Sequence, residues 1–279
     1  MIRQSDFRAD RPSLHGEVPA TSQWPAGWQG ELVGQTALVT GSGRNLGRAI
    51  ALALAEGGAN VVINSRTNRD EAESVADEAR SLGVGAITVI GDVSDASFAK
   101  SMVESTVAEF GRIDHVCHSA VVRERQALVD ISIEKWEEVI RLNLSAAFYV
   151  SRFALPHMVE NRSGRIILIG GPEGLHGAAH QVHGVSAKAG LMGLMKSIAL
   201  ECGPWGITAN VVVPGSMETT RDPDDTVWPP DQETLDDVLA IPRLGVPAEV
   251  AYMCRFLASS AAAYVTGQTL HVSGGLWMP

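Results

Sequence analysis

The chain has 279 residues, enough for one large α/β domain with a deep core or for two small ones. Charged residues make up 19% and aromatics 5%, with much Ala, Gly and Val, which excludes a disordered chain and suits small-residue helices packed on a sheet. A net charge of −10 argues against a nucleic-acid or anionic-membrane partner, because either surface needs clustered Lys and Arg.

Residues 1–33 are polar, interrupted by Pro12, Pro19 and Pro25, and carry Trp24 and Trp28. They read as an irregular arm, either pinned to the surface or reaching a pocket or a neighbouring subunit. Residues 34–279 read as one domain. Thr36–Thr40 is an apolar run, followed by a Gly turn and a small-residue helix from Asn45 to Gly57. Asn60–Asn64 and Ala86–Ile90 are further strands, with helices at about Asp70–Leu82 and Asp95–Phe110. Ile113–Cys117 is a fourth strand, and helical pattern fills Ile133–Glu160, with Pro156 near its end. Arg165–Ile169 is a fifth strand, Ser186–Glu201 a helix and Ile207–Val213 a sixth strand. A lid-like region rich in Asp and Pro follows at about 215–246; Pro247–Ser259 is a helix and Gln268–Val272 the last strand.

Short β-branched runs alternating with helices predict right-handed βαβ units. The expected fold is a single doubly wound Rossmann-type α/β domain, a parallel seven-stranded sheet with helices on both faces. No run approaches the roughly 20 apolar residues of a membrane span. Cys117, Cys202 and Cys254 show no paired or metal-finger spacing and suit buried thiols in a reducing compartment. A cytoplasmic protein is expected.

Thr40-Gly41-Ser42-Gly43-Arg44-Asn45-Leu46-Gly47 lies between a strand and a helix at the head of the repeat. Glycines let the backbone approach a pyrophosphate, and the helix start offers free N–H groups. This predicts a dinucleotide site. An acid at the end of the second strand would bind the ribose 2′-hydroxyl and repel a 2′-phosphate. Here Ser65 and Arg66 stand there, and Arg44 lies in the turn, so NADP(H) is expected rather than the alternative, NAD(H).

From about Leu32 to Met278 the chain resembles the short-chain dehydrogenase/reductase family, in particular its 3-oxoacyl-(acyl carrier protein) reductase-like members. Thr40, Gly41 and Gly47 match the family's TGxxxGxG turn, with Asn45 in place of the middle glycine. Asp92-Val93 matches its adenine-contacting pair, and Asn143 the Asn that supports a proton-relay water. Pro214-Gly215 with Thr219 matches its PGxxxT segment near the nicotinamide, and Tyr264–Gly275 its C-terminal strand motif. Ser119 and Ala120 fall in its NNAG segment, written here His118-Ser119-Ala120-Val121.

The resemblance also implies a Ser past the fifth strand, to orient a carbonyl, and a Tyr one helical turn before a Lys, as acid or base. Those positions hold Gly171 and Gly184; Lys188, which in the family binds ribose and lowers the Tyr pKa, remains. The expected catalytic set is therefore Lys188 and Asn143, with His118 and His183 as candidate proton carriers beside the vacated positions. His183 precedes Gly184 and points about 100° away from it on a helix, which opposes simple replacement of the Tyr. Glu173, His176, His180 and His183 could bind a metal by residue type, but their spacing fits no established pattern, and none is expected.

Three readings compete. The first is an NADP(H)-dependent oxidoreductase on a small carbonyl or alcohol substrate. The second is a lyase, isomerase or hydrolase on the same scaffold. The third is a catalytically silent NADP-binding protein. The resemblance further implies a homodimer or homotetramer through the helices at Ile133–Glu160 and Ser186–Glu201.

Overall fold

The structure, a computed structural model, describes residues 30–220 and 232–278. Most of the arm and the centre of the lid-like region lie outside these residues. Strands β1 (Thr36–Thr40), β2 (Asn60–Ser65), β3 (Ala86–Ile90), β4 (His115–His118), β5 (Gly164–Ile169), β6 (Ile207–Pro214) and β7 (Thr269–Val272) form one sheet. Its seven strands run in the order β3-β2-β1-β4-β5-β6-β7, every pair parallel. The expected architecture is the one observed.

Helices α1 (Asn45–Glu56), α2 (Arg69–Ser81) and α9 (Pro247–Ala258) cover one face. Helices α3 (Ala96–Phe110), α5 (Ala146–Asn161) and α7 (Val182–Cys202) cover the other. Alternation along each strand divides the core: Ala37, Val39 and Ile167 join the first cluster, Leu38, Ile166 and Leu168 the second. Fully burying each large aliphatic side chain stabilises by about 1.5–3 kcal/mol. Asp95 starts α3 by accepting from the amides of Ser97 and Phe98 at 2.7 and 3.0 Å, and Gly111 ends it at φ +74°.

The chain winds outward from β1 to β3, then returns to β4 on the other side of β1. The carboxyl ends of β1 and β4 therefore border the crevice where such folds bind ligands. Residues 30–34 belong to the packed body: Leu32 is fully buried, and Glu31 pairs with the buried Arg255 of α9.

Several element boundaries differ from the sequence reading. The helix expected over Ile133–Glu160 is present and runs on through α4 (Ile133–Ile140), a π turn at Arg141–Ser145, and α5. Within that turn Asn143 accepts from the Val122 amide and donates to the Val122 carbonyl, both at 2.9 Å. Helix α7 begins at Val182, about one turn earlier than expected, so Gly184 is helical. Strand β4 starts at His115 rather than Ile113, which places His115 at the amino end of the sheet, remote from the crevice. Within the expected irregular region, Gln232–Val238 forms α8, and Met217 bridges Gly245.

Candidate active site

The turn after β1 is fixed by steric need and by side-chain bonds. Gly41 has φ +61°, and a Cβ there would lie 2.8 Å from Ala120 Cα. A Cβ on Gly47 would collide with the Gly41 carbonyl oxygen. Asn45 occupies the left-handed region at φ +51°, which Asn tolerates better than most residues. Its side chain donates to the Thr220 carbonyl at 3.0 Å and accepts from the Thr220 amide at 2.9 Å, clasping the turn to the segment after β6.

Asn64, at the end of β2, is a residue the sequence reading passed over. Its Oδ1 accepts from the Gly41 amide at 3.2 Å, and its Nδ2 donates to the carbonyls of Val89 and Gly91. Its amide donates to Ser42 Oγ at 2.9 Å, and that hydroxyl donates to the Val39 carbonyl at 2.7 Å. The ends of three strands are thus tied to one turn. A buried Asn closing the apolar run NVVIN was the available signal.

Leu46 and Gly47 are buried at the start of α1, while Arg44 and Arg66 are exposed. A Cβ on Gly43 would lie 3.6 Å from Ser65 Cβ, so the turn and the end of β2 share one rim. Neither Arg44 nor Arg66 forms an ion pair among the described residues. This rim offers the Arg44 and Arg66 guanidinium groups, and Glu71 of α2 borders the same turn, its Cβ 3.7 Å from where a Cβ on Gly43 would lie.

Further along the same sheet edge, Asp92 accepts from the Ser94 amide at 2.8 Å beside the buried Val93. Thr40 Oγ1 accepts from the amides of Ser119 and Ala120 at 3.1 and 3.2 Å. Gly215 donates to the Val272 carbonyl at 2.9 Å, and a Cβ on it would lie 2.6 Å from Ser273 Cα. Pro214 is buried at the end of β6, and Thr219 immediately precedes the clasped Thr220.

Lys188 and Glu173 form an ion pair, Nζ to Oε2 at 2.8 Å, with side chains 14% and 28% exposed. Glu173 opens α6 (Glu173–His176), which packs on α7 at Lys188. Burial pushes the Glu173 carboxyl up, but the Lys188 charge and hydrogen bond, its own backbone amide and Arg123 together hold it below the ordinary glutamate range. A Cβ on Gly171 would fall 2.5 Å from Lys188 Nζ and 2.6 Å from Glu173 Oε2. At Gly184 a Cβ would meet nothing within 4 Å. The space beside Gly171 is thus filled by an ion pair, and that beside Gly184 is open.

The remaining candidates are placed differently. His118 is 1% exposed, with Nδ1 3.0 Å from Thr40 Oγ1, and burial drives its pKa down to about 4. It supports the turn after β1 through Thr40. His183 is fully buried, and its Nδ1 accepts from the Gly184 amide at 2.8 Å. His176 packs against Trp277 with ring centroids 4.9 Å apart and the rings tilted by 44°. His180 is exposed at φ +61°, and its carbonyl accepts from the Gln126 amide. Among the described residues, no three His, Cys, Asp or Glu side chains converge as metal ligands.

A doubly wound parallel sheet, with a glycine turn opening a helix at its switch point, places the protein among the dinucleotide-type α/β folds. Residues 41–277 match the family described as Enoyl-(Acyl carrier protein) reductase. The 3-oxoacyl-(acyl-carrier-protein) reductase of Escherichia coli strain K12 is 40% identical over 247 residues, covering 88% of this chain and 98% of that protein. The enzyme of the same description from Staphylococcus aureus strain N315 is 37% identical over 244 residues, with the same coverage. A crystal structure described as a short-chain alcohol dehydrogenase from Sinorhizobium meliloti 1021 superposes with a TM-score of 0.83 at 27% identity, covering 88% of this chain and 97% of that one. The chain belongs to the short-chain dehydrogenase/reductase family of oxidoreductases.

Proposed function

We propose that the protein is an NADP(H)-dependent oxidoreductase acting on a carbonyl or alcohol substrate, through a site in which Gly171 and Gly184 stand where the family has Ser and Tyr. The observation that carries the cofactor choice is the rim of Arg44, Ser65 and Arg66 beside a turn that admits no Cβ at Gly41 or Gly47. Thr40, Ser42, Asn45, Leu46, Asp92, Val93, Ser119 and Ala120 complete the dinucleotide cradle. Pro214, Gly215 and Thr219 border its nicotinamide end. When bound, the reduced dinucleotide supplies a hydride.

The protein's own side chains orient the carbonyl, exclude water and move one proton. Lys188 remains at the site, while Asn143 holds the loop after β4 in place through Val122. His118 and His183 are buried supports in this account, not proton carriers. The open space at Gly184 accommodates substrate bulk that a tyrosine would exclude. The relatives are described as acting on 3-oxoacyl-(acyl-carrier-protein), so a 3-oxoacyl thioester belongs in the substrate panel.

The test is NADPH absorbance at 340 nm with a panel of carbonyl compounds, including that thioester. Consumption of NADPH with formation of the alcohol is expected. Substrate turnover without net NADPH consumption would instead favour lyase, isomerase or hydrolase chemistry, which the partly buried carboxylate–ammonium pair could also serve. NADPH binding with no turnover of any kind would leave a silent binding protein.

We further propose a homodimer or homotetramer. The exposed Leu128, Val129, Ile133 and Phe148 crowd the region of α4 and α5, and light scattering showing only monomer would reject the assembly. Among the described residues, no helix is long and apolar enough to cross a membrane.

A further inference from the structure

Three unusual features of this site meet at one point. Gly171 lacks a side chain, and the volume where one would begin holds Lys188 Nζ, Lys188 Cδ at 2.8 Å and Glu173 Oε2. Gly174 lets α6 lie against α7: a Cβ there would sit 2.8 Å from Lys188 Cβ and 2.9 Å from Lys188 C. That approach brings Glu173 within reach of Nζ. Gly184 lies one helical turn before Lys188, on the same face of α7, so the open space at Gly184 adjoins the ammonium. A side chain at either 171 or 174 would force this arrangement apart.

We propose that Glu173 is a positioning residue that holds the Lys188 ammonium in the place of the missing hydroxyl groups, so that Lys188 donates the proton to the substrate carbonyl oxygen. This rests on the redox reading above. An ammonium, like a phenol, carries an N–H or O–H donor that can be aimed at a carbonyl oxygen. Glu173 cannot be the donor in reduction, because Lys188 keeps it ionised at neutral pH. The charged groups facing it are Lys188 from α7 and Arg123 from the loop after β4. His176 of its own helix turns to Trp277, and His183 to the Gly184 amide.

The step balances. The carbonyl π bond breaks, its carbon accepts the hydride and its oxygen accepts the Lys188 proton. The two electrons come from the reduced dinucleotide, and the neutral amine regains a proton from solvent.

The test has two readouts. With a carbonyl turned over by the wild type, Glu173→Gln should lower kcat by about 10²-fold, within the range for proton-transfer help, while leaving the NADPH Kd within about twofold. Glu173→Asp should recover part of kcat, and Gly171→Ser should lower it by driving the pair apart. Full kcat in Glu173→Gln, or a gain in Gly171→Ser, overturns the proposal.

The second readout needs neither cofactor nor substrate. The 13C signal of the Glu173 carboxyl should titrate below the ordinary glutamate range in the wild type and move upward in Lys188→Met and Gly171→Ser. An unchanged titration overturns the pairing itself. No NADPH oxidation by the wild type overturns the redox reading and the proton-donor role together, even if the pair is present. Undiminished oxidation in Glu173→Gln overturns the proposal and leaves the redox reading standing.

Discussion

Protonation of His118 offers a quantitative test of its supporting role. Thr40 Oγ1 accepts from two amides, so its hydroxyl hydrogen is directed to His118 Nδ1, and the ring is held neutral. Burial lowers its pKa from 6.5 to about 4, against a smaller opposite pull from the Leu142 backbone. The unfolded chain therefore takes up this proton first as pH falls. The stability from keeping the ring neutral is full above 6.5, drains away between 6.5 and about 4, and changes no further below that. The gap is worth about 3 kcal/mol. His115, bonded to Gln35 Oε1 at 2.7 Å and also driven down to about 4 by burial, adds a like amount. Chemical denaturation at pH 7.5 and 4.5 measures the sum. The wild type should lose about 2–3 kcal/mol more stability over this interval than His118→Asn, which keeps an amide for Thr40 but cannot protonate. Equal losses would refute the reasoning. So would a kcat collapse in His118→Asn with its fold and NADPH affinity intact, because that would make the ring a proton carrier.

Gly47→Ala should weaken NADPH binding by at least about tenfold, or about 1.4 kcal/mol, by calorimetric titration, because the new methyl displaces the Gly41 carbonyl from the turn. Glu31→Gln should destabilise the fold by about 3 kcal/mol in urea, since it removes the principal countercharge of an arginine that is 1% exposed. Gly184→Tyr should shift Tm by no more than about 2 °C, because its Cβ enters open space; a larger loss would show that the space is occupied.

The parts of the fold written in local pattern were legible in the sequence. TALVT, NVVIN and ITANVVV are apolar on both faces, and they form strands buried on both faces. The glycine turn was legible because steric demands fix its residue types. What escaped depended on distant partners. No local signal at Asn143 announces its bonds to the backbone of Val122, 21 residues away. Gly171 and Gly184 read as losses, and only the packing of α6 on α7 shows the first to be occupied by Glu173 and Lys188.

The account stands most directly on the choice of dinucleotide, which calorimetric titration of NADPH and NADH into the wild type and Arg66→Ala decides. NADPH should bind the wild type about 10–100-fold more tightly than NADH, the worth of one charge-assisted contact to the 2′-phosphate, and most of that margin should vanish in Arg66→Ala. NADH binding as tightly as NADPH, or no binding of either, would contradict it.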